Sequence, residues 1–420
     1  MQSSQRSIIG WSLIVIGVLG SEPLLGKYLG RNSDIVFPLN VLAAFISIFL
    51  VCSGACILAW RRPIGKFARS GKEAWFRLVA VSLPIIAISA LEFGLYLIEG
   101  PAPQWSKADR HAHDLMEAGF GKVRYKGLAL FEPSANPLFR INSLGFRTYE
   151  FDEPRGDEIR IMLLGGSTSF GWPVSDRDTI GRHLEDYLSE AVGRPVKVYN
   201  LGVPGARFAQ EESLLEDFAD VIEPELVVFY HGANDGLGWY HRAMGRSESS
   251  QDLVPRTYSL DVLLHYVLQL SLFQRIQQFA NMVLPAEGAD KIDISEAVSA
   301  YGETLSKASR HCVATACMYV LQPIIFQKKK LTYHEVRQQG QTAAKAPQLG
   351  AMYMKYVDAI MTRRFANHFD ASKIFYGTEG HIFNDGLHIM GEGNRMIAQF
   401  IARAICEQRV LTCSHSASDS

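Results

Sequence analysis

Long apolar runs set the first hundred residues apart from the rest of the chain. Residues 35–60 carry no charged side chain, and residues 78–98 carry only Glu92. Runs of this length are typical of helices that cross a lipid bilayer. A shorter run starts at Ile8 and predicts either a first span over 8–28 or the core of a signal peptide. We favour the span, because only a poor small-residue cleavage signal follows.

The basic residues between these runs predict the orientation of the chain. Two of them, Lys27 and Arg31, lie between the first and second runs, whereas the loop 61–77 contains six: Arg61, Arg62, Lys66, Arg69, Lys72 and Arg77. Loops rich in lysine and arginine stay on the cytoplasmic side. We therefore expect residues 1–100 to be a multi-pass region of the cytoplasmic membrane and the rest to lie on its periplasmic or extracellular side. Glu92 is either functional or in contact with another helix or the headgroups.

The segment after the third run changes to a mixed polar composition. Residues 101–123 predict a linker with a short helix, and the glycine, proline and asparagine residues of 125–151 predict short strands and turns at the edge of a domain. For Arg140 and Arg147 we favour surface positions over contact with substrate. The domain itself is expected over residues 124–412, with a tail over 413–420.

Apolar strands alternate with amphipathic helices through this domain. The pattern predicts strands at 159–165, 196–200, 225–231, 316–323 and 372–377, and helices at 178–192, 206–223, 294–311, 334–368 and 395–409. This alternation is typical of a parallel, doubly wound α/β sheet with right-handed crossovers. Residues 232–235 read as a polar turn. A helical insertion over 236–290 interrupts the pattern, and it is a lid, a membrane-contacting patch or a buried core helix.

The composition of the chain gives no support for a nucleic-acid partner and leaves open whether its cysteines form disulfides. The chain has 42 basic and 43 acidic residues, a net charge of -1, so nothing in its charge favours binding to nucleic acid. Its six cysteines include no metal-type C-x-x-C pair. The pairs Cys312 with Cys317 and Cys406 with Cys413 can form disulfides in an oxidising compartment, but the sequence does not decide this.

Four turns at strand ends carry polar groups suited to acyl-transfer chemistry. Gly165 and Gly166 allow a sharp turn, and Ser167 then lies at the carboxyl end of the first strand, where such sheets bind ligands. Taken alone, Ser167 can equally be a helix N-cap. A serine nucleophile needs a base, for which His388 is suitable, and a carboxylate to orient that base, for which Asp385 lies three residues earlier.

The same turns offer donors for an oxyanion. They are the backbone N–H groups of Ser167 and Gly202 and the side-chain amide of Asn234. Four neighbouring positions have other predicted roles: Asp235 as a turn residue supporting Asn234, Asp176 and Asp178 as helix caps, and His231 and Asn200 as polar groups near the site without an assigned role.

Together these motifs resemble the SGNH (GDSL-type) hydrolases. Gly165-Gly166-Ser167, Asn200-Leu201-Gly202, Gly232-Ala233-Asn234-Asp235 and Asp385-Gly386-Leu387-His388 match the four blocks of that family in order. The resemblance implies a flavodoxin-like three-layer α/β/α fold, a serine esterase activity and no metal or cofactor. It also implies Ser167 as nucleophile, His388 as base, Asp385 as orienting acid, and Gly202 and Asn234 as oxyanion donors.

One position departs from the family motif. The motif for which the family is named has an aspartate between its glycine and its serine, and Gly166 occupies that position here. We expect this glycine to loosen or widen the site. The resulting hypothesis is a membrane-anchored esterase acting on an acyl-ester substrate, such as O-acetyl groups on an envelope polysaccharide or lipid. Two alternatives remain. One is an O-acyltransferase that uses the same triad with a partner membrane protein as acyl donor, and the other is a non-catalytic envelope scaffold.

Overall fold

The computed structural model describes Ala90 and residues 105–151, 156–243, 293–313, 315–346 and 348–413. Apart from Ala90, the three predicted spans lie outside the described residues, as do residues 244–292 of the predicted insertion and most of the tail. No helix among the described residues is both long and apolar enough to cross a membrane. All described residues from 105 onward belong to one compact unit.

A small layer of short elements precedes the main sheet. It contains α1 (Lys107–Gly119), β1 (Phe120–Tyr125), β2 (Leu128–Phe131), β3 (Ser134–Asn136) and β4 (Phe139–Ile141). Strands β1 and β2 pair antiparallel, as do β3 and β4, which confirms the short strands and turns predicted here. Helix α1 buries Ala112 and Met116 completely. Residues 107–119, within the segment expected to be a linker, therefore pack onto the unit.

Five parallel strands form the central sheet. They are β5 (Ile159–Gly165), β6 (Val196–Asn200), β7 (Leu226–His231), β8 (Ala316–Leu321) and β9 (His368–Asp370). Their spatial order is β6-β5-β7-β8-β9, and every neighbouring pair is parallel. This order reverses between β5 and β7, the place where open α/β sheets bind ligands. The predicted doubly wound fold is confirmed.

Helices cover both faces of this sheet. They are α2 (Ser167–Phe170), α3 (Ile180–Val192), α4 (Phe208–Ile222), α5 (Ala233–Ala243), α6 (Ser295–His311), α7 (Tyr333–Lys345), α8 (Leu349–Thr362) and α9 (Gly391–Glu407). Successive strand residues point to opposite faces. Accordingly Met162 and Leu164 pack in a core with α4, α6 and α8, whereas Ile161 and Leu163 pack with α3 and α9. The result is the predicted α/β/α sandwich.

The fifth strand was predicted in the wrong place. Residues 372–377 form successive turns, in which the N–H of Ile374 donates to the Ala371 carbonyl and that of Tyr376 to the Lys373 carbonyl. The fifth strand of the sheet is β9, which ends before these turns. It has three residues, whereas the predicted strand had six. The side chain of Phe375 is buried although its backbone makes no strand pairing. Burial in a turn therefore produced an apolar pattern like that of a strand.

The predicted polar turn at 232–235 is also wrong. Helix α5 begins at Ala233, and the N–H of Gly236 donates to the Gly232 carbonyl over 2.9 Å. Residues 236–243, assigned to the insertion, therefore continue a regular helix. Small and polar residues after a strand are compatible with either a turn or the first turn of a helix, so the pattern did not separate them.

The residues before α3 differ from their predicted roles. Thr179 is the N-cap of α3 and accepts a hydrogen bond from the N–H of Arg182, so Asp176 and Asp178 are not its caps. Asp176 instead binds the guanidinium of Arg147 at 2.7 Å. That guanidinium is buried and also donates to the carbonyls of Gly171 and Val174. The surface position predicted for Arg147 is therefore wrong, whereas Arg140 is exposed as expected.

Two disulfides answer the question that the sequence left open. Cys312 pairs with Cys317 and Cys406 with Cys413, each with 5.6 Å between the Cα atoms. The first follows α6 and joins it to the second residue of β8. The second joins the last turn of α9 to Cys413, six residues after that helix.

A buried ion pair holds the loop that leads to Asp385 and His388. Lys328 Nζ lies 2.7 Å from Glu335 Oε2, and both side chains are fully buried. Glu335 Oε1 also accepts the N–H groups of Ile382 and Phe383 at 2.8 and 2.9 Å. One carboxylate therefore connects α7 to the segment immediately before the predicted catalytic loop.

We expect Glu335→Ala to lower the free energy of unfolding by about 3–5 kcal/mol, because it leaves the Lys328 ammonium buried without its counter-charge. Urea unfolding of the full chain, followed by circular dichroism, measures the change. Glu379→Ala is the matched control, since the Glu379–Lys330 pair is exposed and its loss should cost no more than about 0.5 kcal/mol. Equal effects of the two substitutions would contradict a structural role for the buried pair.

Candidate active site

The turn after β5 presents Ser167 at the carboxyl edge of the sheet. Ser167 is the first residue of α2, and the N-cap position is occupied by Gly166. The alternative prediction, that Ser167 is a helix cap, is therefore wrong. A Cβ on Gly165 would collide with Ser169 Oγ and with the carbonyl of Tyr230. Only glycine at position 165 lets the chain turn here, and this turn directs the Ser167 hydroxyl away from the backbone.

Ser167, His388 and Asp385 form one hydrogen-bonded chain. His388 Nε2 lies 2.7 Å from Ser167 Oγ, and His388 Nδ1 lies 2.7 Å from Asp385 Oδ2. Asp385 accepts with its carboxylate, so the neutral imidazole carries its proton on Nδ1 and offers the Nε2 lone pair to the serine hydroxyl. The structure thus brings together the three predicted residues, although Ser167 lies 221 positions before His388.

The loop itself fixes the orientation of Asp385. Its Oδ1 atom accepts the N–H groups of Leu387 and His388, both at 2.8 Å, so that Oδ2 is left for the imidazole. A bridge between Phe383 and Ile389 closes the base of the loop. The three-residue spacing of Asp385 and His388 therefore works because a single tight turn holds both side chains.

The charges of the pair reinforce each other. Burial opposes ionisation of Asp385, but the His388 charge and the hydrogen bonds from His388 and Leu387 outweigh it and lower the Asp385 pKa to about 2. Burial likewise lowers the pKa of His388, but the Asp385 carboxylate outweighs it and the net pKa of His388 is raised. Asp385 is therefore ionised at neutral pH, where it stabilises an imidazolium that forms during proton transfer.

Gly202 occupies the predicted position, but its N–H group already has a partner. It donates to Asn200 Oδ1 over 2.9 Å, while Asn200 Nδ2 donates to the Ser169 carbonyl over 2.8 Å. A Cβ at Gly202 would collide with the backbone N of Phe170. Glycine at 202 therefore permits close packing of this turn on α2. Its N–H group reaches an oxyanion only by sharing or releasing the bond to Asn200.

Asn200 was left without a role by the sequence, and the structure gives it one. Its amide joins the turn after β6 to the helix that carries Ser167. The available signal was an asparagine two residues before a glycine at a strand end, a spacing at which asparagine side chains commonly bond to the backbone.

Asn234 lies against Gly166. Its Nδ2 atom donates one hydrogen bond to the Ala206 carbonyl over 2.8 Å, which leaves the second amide hydrogen for another acceptor. A Cβ at Gly166 would collide with Asn234 Nδ2. The space expected to widen the site at Gly166 is thus filled by the amide of the predicted oxyanion donor.

His231 and Asp235 point into the protein. His231 Nδ1 lies 3.0 Å from Glu211 Oε2 and its Nε2 lies 3.1 Å from the Tyr301 hydroxyl, and burial lowers its pKa to about 4. Asp235 accepts the N–H of Phe208 with both carboxylate oxygens and so anchors the start of α4. Neither side chain contacts Ser167 or His388, and Asp235 is an anchor for a helix rather than a turn residue.

We expect Asp385→Asn to lower kcat/KM for a simple aryl acetate by about 10⁴-fold, because the imidazole loses its orienting acceptor. The reaction needs neutral His388, so kcat/KM should be full above the His388 pKa and fall as the pH drops through it. Since Asp385 raises that pKa, its loss should move the acid limb to lower pH. An unchanged acid limb in the pH profile would contradict this electrostatic coupling.

We expect Gly166→Ala to displace the Asn234 amide, because the new methyl group needs the space of Nδ2. If Asn234 donates to the oxyanion, kcat should fall by up to about 10²–10³-fold, and Asn234→Ala should give a similar loss. The double variant should then be no worse than either single variant, since both remove one donor. Additive losses in kcat would show that Gly166 and Asn234 act independently.

Comparison of the sequence with models of known protein families gives one match. The sequence model of the GDSL-like lipase/acylhydrolase family matches residues 161–401, which is more than half of the chain and includes Ser167, Gly202, Asn234, Asp385 and His388. No curated protein matches this chain.

Solved structures show a more distant likeness. A lipase/acylhydrolase from Enterococcus faecalis has 16% identity and a TM-score of 0.33, covering 60% of this chain and 96% of that one. An acetylxylan esterase from Geobacillus stearothermophilus, solved as a catalytic mutant, has 12% identity and a TM-score of 0.33, covering 59% and 94%. The psychrotrophic esterase EstA from Pseudoalteromonas sp. has 13% identity and a TM-score of 0.35, covering 59% and 97%. These likenesses are too weak to add to the family match. On that match, this chain belongs to the GDSL-like lipase/acylhydrolase family.

Proposed function

We propose that the protein is a membrane-anchored serine esterase that removes acyl groups from an ester outside the cytoplasm. Membership of the family makes it an ester-hydrolysing enzyme. The observation that carries the proposed mechanism is the chain of two 2.7 Å contacts from Ser167 through His388 to Asp385. Three roles that acyl transfer needs, nucleophile, base and orienting acid, meet there at one edge of the sheet.

The first half of the proposed reaction acylates the enzyme. His388 Nε2 accepts the hydroxyl proton of Ser167 as Oγ attacks the ester carbonyl. The negative charge that develops on the carbonyl oxygen is stabilised by backbone N–H groups at the start of α2 and by the Asn234 amide. The imidazolium then gives its proton to the leaving alcohol, and Asp385 stabilises the positive charge in the interval.

The second half releases the acyl group. Water takes the place of the alcohol and loses a proton to His388 Nε2 as it attacks the acyl-serine. Collapse of the second tetrahedral intermediate returns the proton to Ser167 and frees the carboxylic acid. Every proton is accepted and returned by the same ring nitrogen, so the Ser167–His388 contact serves both halves.

The proposed substrate is an O-acetylated polysaccharide or lipid of the cell envelope. The apolar runs at 35–60 and 78–98 and the basic loop between them favour an anchor with the domain on the outer side of the membrane. The two disulfides support an oxidising compartment, because such bonds persist there and are rare in the cytosol.

The test measures acetate release from an aryl acetate by the full chain. We expect Ser167→Ala to lower kcat by roughly 10⁶-fold, because the nucleophile is removed. Ser169→Ala is the matched control on the same short helix, since the Ser169 hydroxyl bonds to the Tyr230 carbonyl rather than to His388. Its kcat should stay close to that of the unchanged chain. Hydrolysis by the Ser167→Ala variant at the unchanged rate would overturn the proposal.

The same assay separates the esterase from the two alternatives. Short sugar acceptors are added, and acetyl groups on the sugar are measured beside free acetate. Free acetate that depends on Ser167 and ignores the sugar supports the esterase. Acetyl groups that appear mainly on the sugar would favour the O-acyltransferase over the esterase. Folded protein that forms neither product would favour the non-catalytic scaffold.

A further inference from the structure

A cavity of about 330 Å³ lies at the carboxyl end of β6, and Asn200 in its wall bonds to the helix that carries Ser167. Its wall is built from β4, from the segment 147–149, from the turn before α3, from the start of α3 and from the last residues of β6. A volume of this size is at the lower end of the range for small-molecule sites. The triad and the candidate oxyanion donors do not line it, apart from their neighbour Asn200.

Positive charge dominates the lining. Four arginines, Arg140, Arg147, Arg177 and Arg182, face the cavity, against the carboxyl groups of Asp176 and Glu185. Asp176 is neutralised by its 2.7 Å ion pair with Arg147. The guanidinium groups of Arg140, Arg177 and Arg182 remain beside the carboxyl group of Glu185, which lies 3.4 Å from Arg182.

These three guanidinium groups are accessible. Within the described part of the chain, the Arg140 guanidinium makes no hydrogen bond, and the residue is exposed. The side chain of Arg177 is 69% exposed and that of Arg182 is 51% exposed. Arg177 has a single 3.2 Å contact with Asp178, and Arg182 contacts Asp186 at 3.0 Å and Glu185 at 3.4 Å. All three retain N–H donors for another acceptor, because a guanidinium has five.

The remaining carboxyl group is weakly charged. Glu185 accepts hydrogen bonds from the Tyr149 hydroxyl and from the N–H of Val198, both at 2.8 Å. Burial raises its pKa to about 7, although the hydrogen bonds from Val198 and Tyr149 act in the opposite direction. Near neutral pH this carboxyl group therefore carries less negative charge than an ordinary glutamate, and it opposes an anion in the cavity more weakly.

A second cavity of about 520 Å³ adjoins the first. Arg140, Thr148 and Tyr149 line both, and the second extends along the β3–β4 hairpin. Its own acidic residue, Glu150, is held by the N–H and hydroxyl of Ser143 at 2.8 and 2.7 Å. We call the two cavities together the arginine groove. Together the two cavities offer more room than a free ion needs.

The wall of the arginine groove is fastened to the helix of the nucleophile. Asn200 donates to the Ser169 carbonyl, and Arg147 donates to the carbonyls of Phe170 and Gly171. Ser167 lies on the same four-residue helix. A substrate in the groove would therefore be held on the same rigid turn that presents the serine hydroxyl.

We propose that the arginine groove binds the carboxylate groups of an acidic glycan, the substrate whose ester is cleaved at Ser167. Planar guanidinium groups bind carboxylates through paired hydrogen bonds, and a polyuronate carries one carboxylate on every unit. This assignment rests on the proposed esterase function and narrows its substrate class to an acidic polysaccharide.

The test measures binding of tetragalacturonate to the full chain by calorimetry, with xylotetraose as the neutral probe of equal length. The chain carries Ser167→Ala, so that hydrolysis does not enter. We expect tetragalacturonate to bind and xylotetraose to bind at least tenfold more weakly. Arg140→Gln and Arg182→Gln should each raise the Kd for tetragalacturonate by about tenfold or more, because each removes charged hydrogen bonds.

Arg310→Gln is the matched control. Arg310 is exposed in the last turn of α6 and does not line the groove, so its substitution removes the same charge from the protein and should leave the Kd unchanged. Circular dichroism checks that each variant is folded. Inorganic sulfate is titrated separately, and we expect it to bind far more weakly than the glycan.

Three results would overturn the inference. They are equal affinity for the acidic and neutral glycans, a Kd that is the same in Arg140→Gln and Arg182→Gln as in Arg310→Gln, and sulfate binding as tight as that of tetragalacturonate. These results are separate from a failure of the esterase function. That function fails if the unchanged chain releases no acetate from an aryl acetate, whether or not the glycan binds.

Discussion

The site depends on the hydrogen bond between His388 Nε2 and Ser167 Oγ. It joins two turns that lie 221 residues apart in the chain, one after strand β5 and the other just before α9. A serine hydroxyl gains nucleophilic character only when a base lies within hydrogen-bond reach. The structure must therefore hold both turns to within a few tenths of an ångström, and much of the surrounding packing serves that purpose.

On the serine side this precision comes from the absence of side chains. The turn after β5 closes because residues 165 and 202 have no Cβ to collide with α2 or with β7. Asn200 then binds both the Gly202 N–H and the Ser169 carbonyl. On the histidine side the precision comes from charge. Glu335, paired with Lys328, holds the segment at 382–383, and Asp385 orients the imidazole.

Sequence patterns predicted the sheet well because its strands are buried on both faces. All seven residues of β5 and all six of β7 are buried, so each is mainly apolar, and only Arg160 in β5 and His231 at the end of β7 interrupt the pattern. The order of polar turns then indicated Ser167, Asp385 and His388, since turns at one edge of a parallel sheet lie near one another. The α/β/α architecture and the set of residues that meet were both accessible in this way.

The errors arose where the local pattern has two physical explanations. Phe375 is apolar and buried in a turn, which resembles a short strand. Arg147 is charged yet buried, because Asp176 and backbone carbonyls satisfy its guanidinium, and no local pattern reveals partners distant in sequence. The contact between Gly166 and the Asn234 amide was likewise hidden. A glycine in the sequence indicates space beside its Cα atom, but only the three-dimensional structure shows which neighbouring group occupies that space.

The most direct test of the account is to trap the nucleophile. The full chain is incubated with a fluorophosphonate ester, which reacts covalently with activated serines, and the modified peptide is identified by mass spectrometry. The account predicts one adduct, on Ser167, formed rapidly by the unchanged chain and at a greatly reduced rate by His388→Ala. Modification of Ser169 instead, or labelling of Ser167 at the same rate without His388, would contradict the claim that His388 activates Ser167.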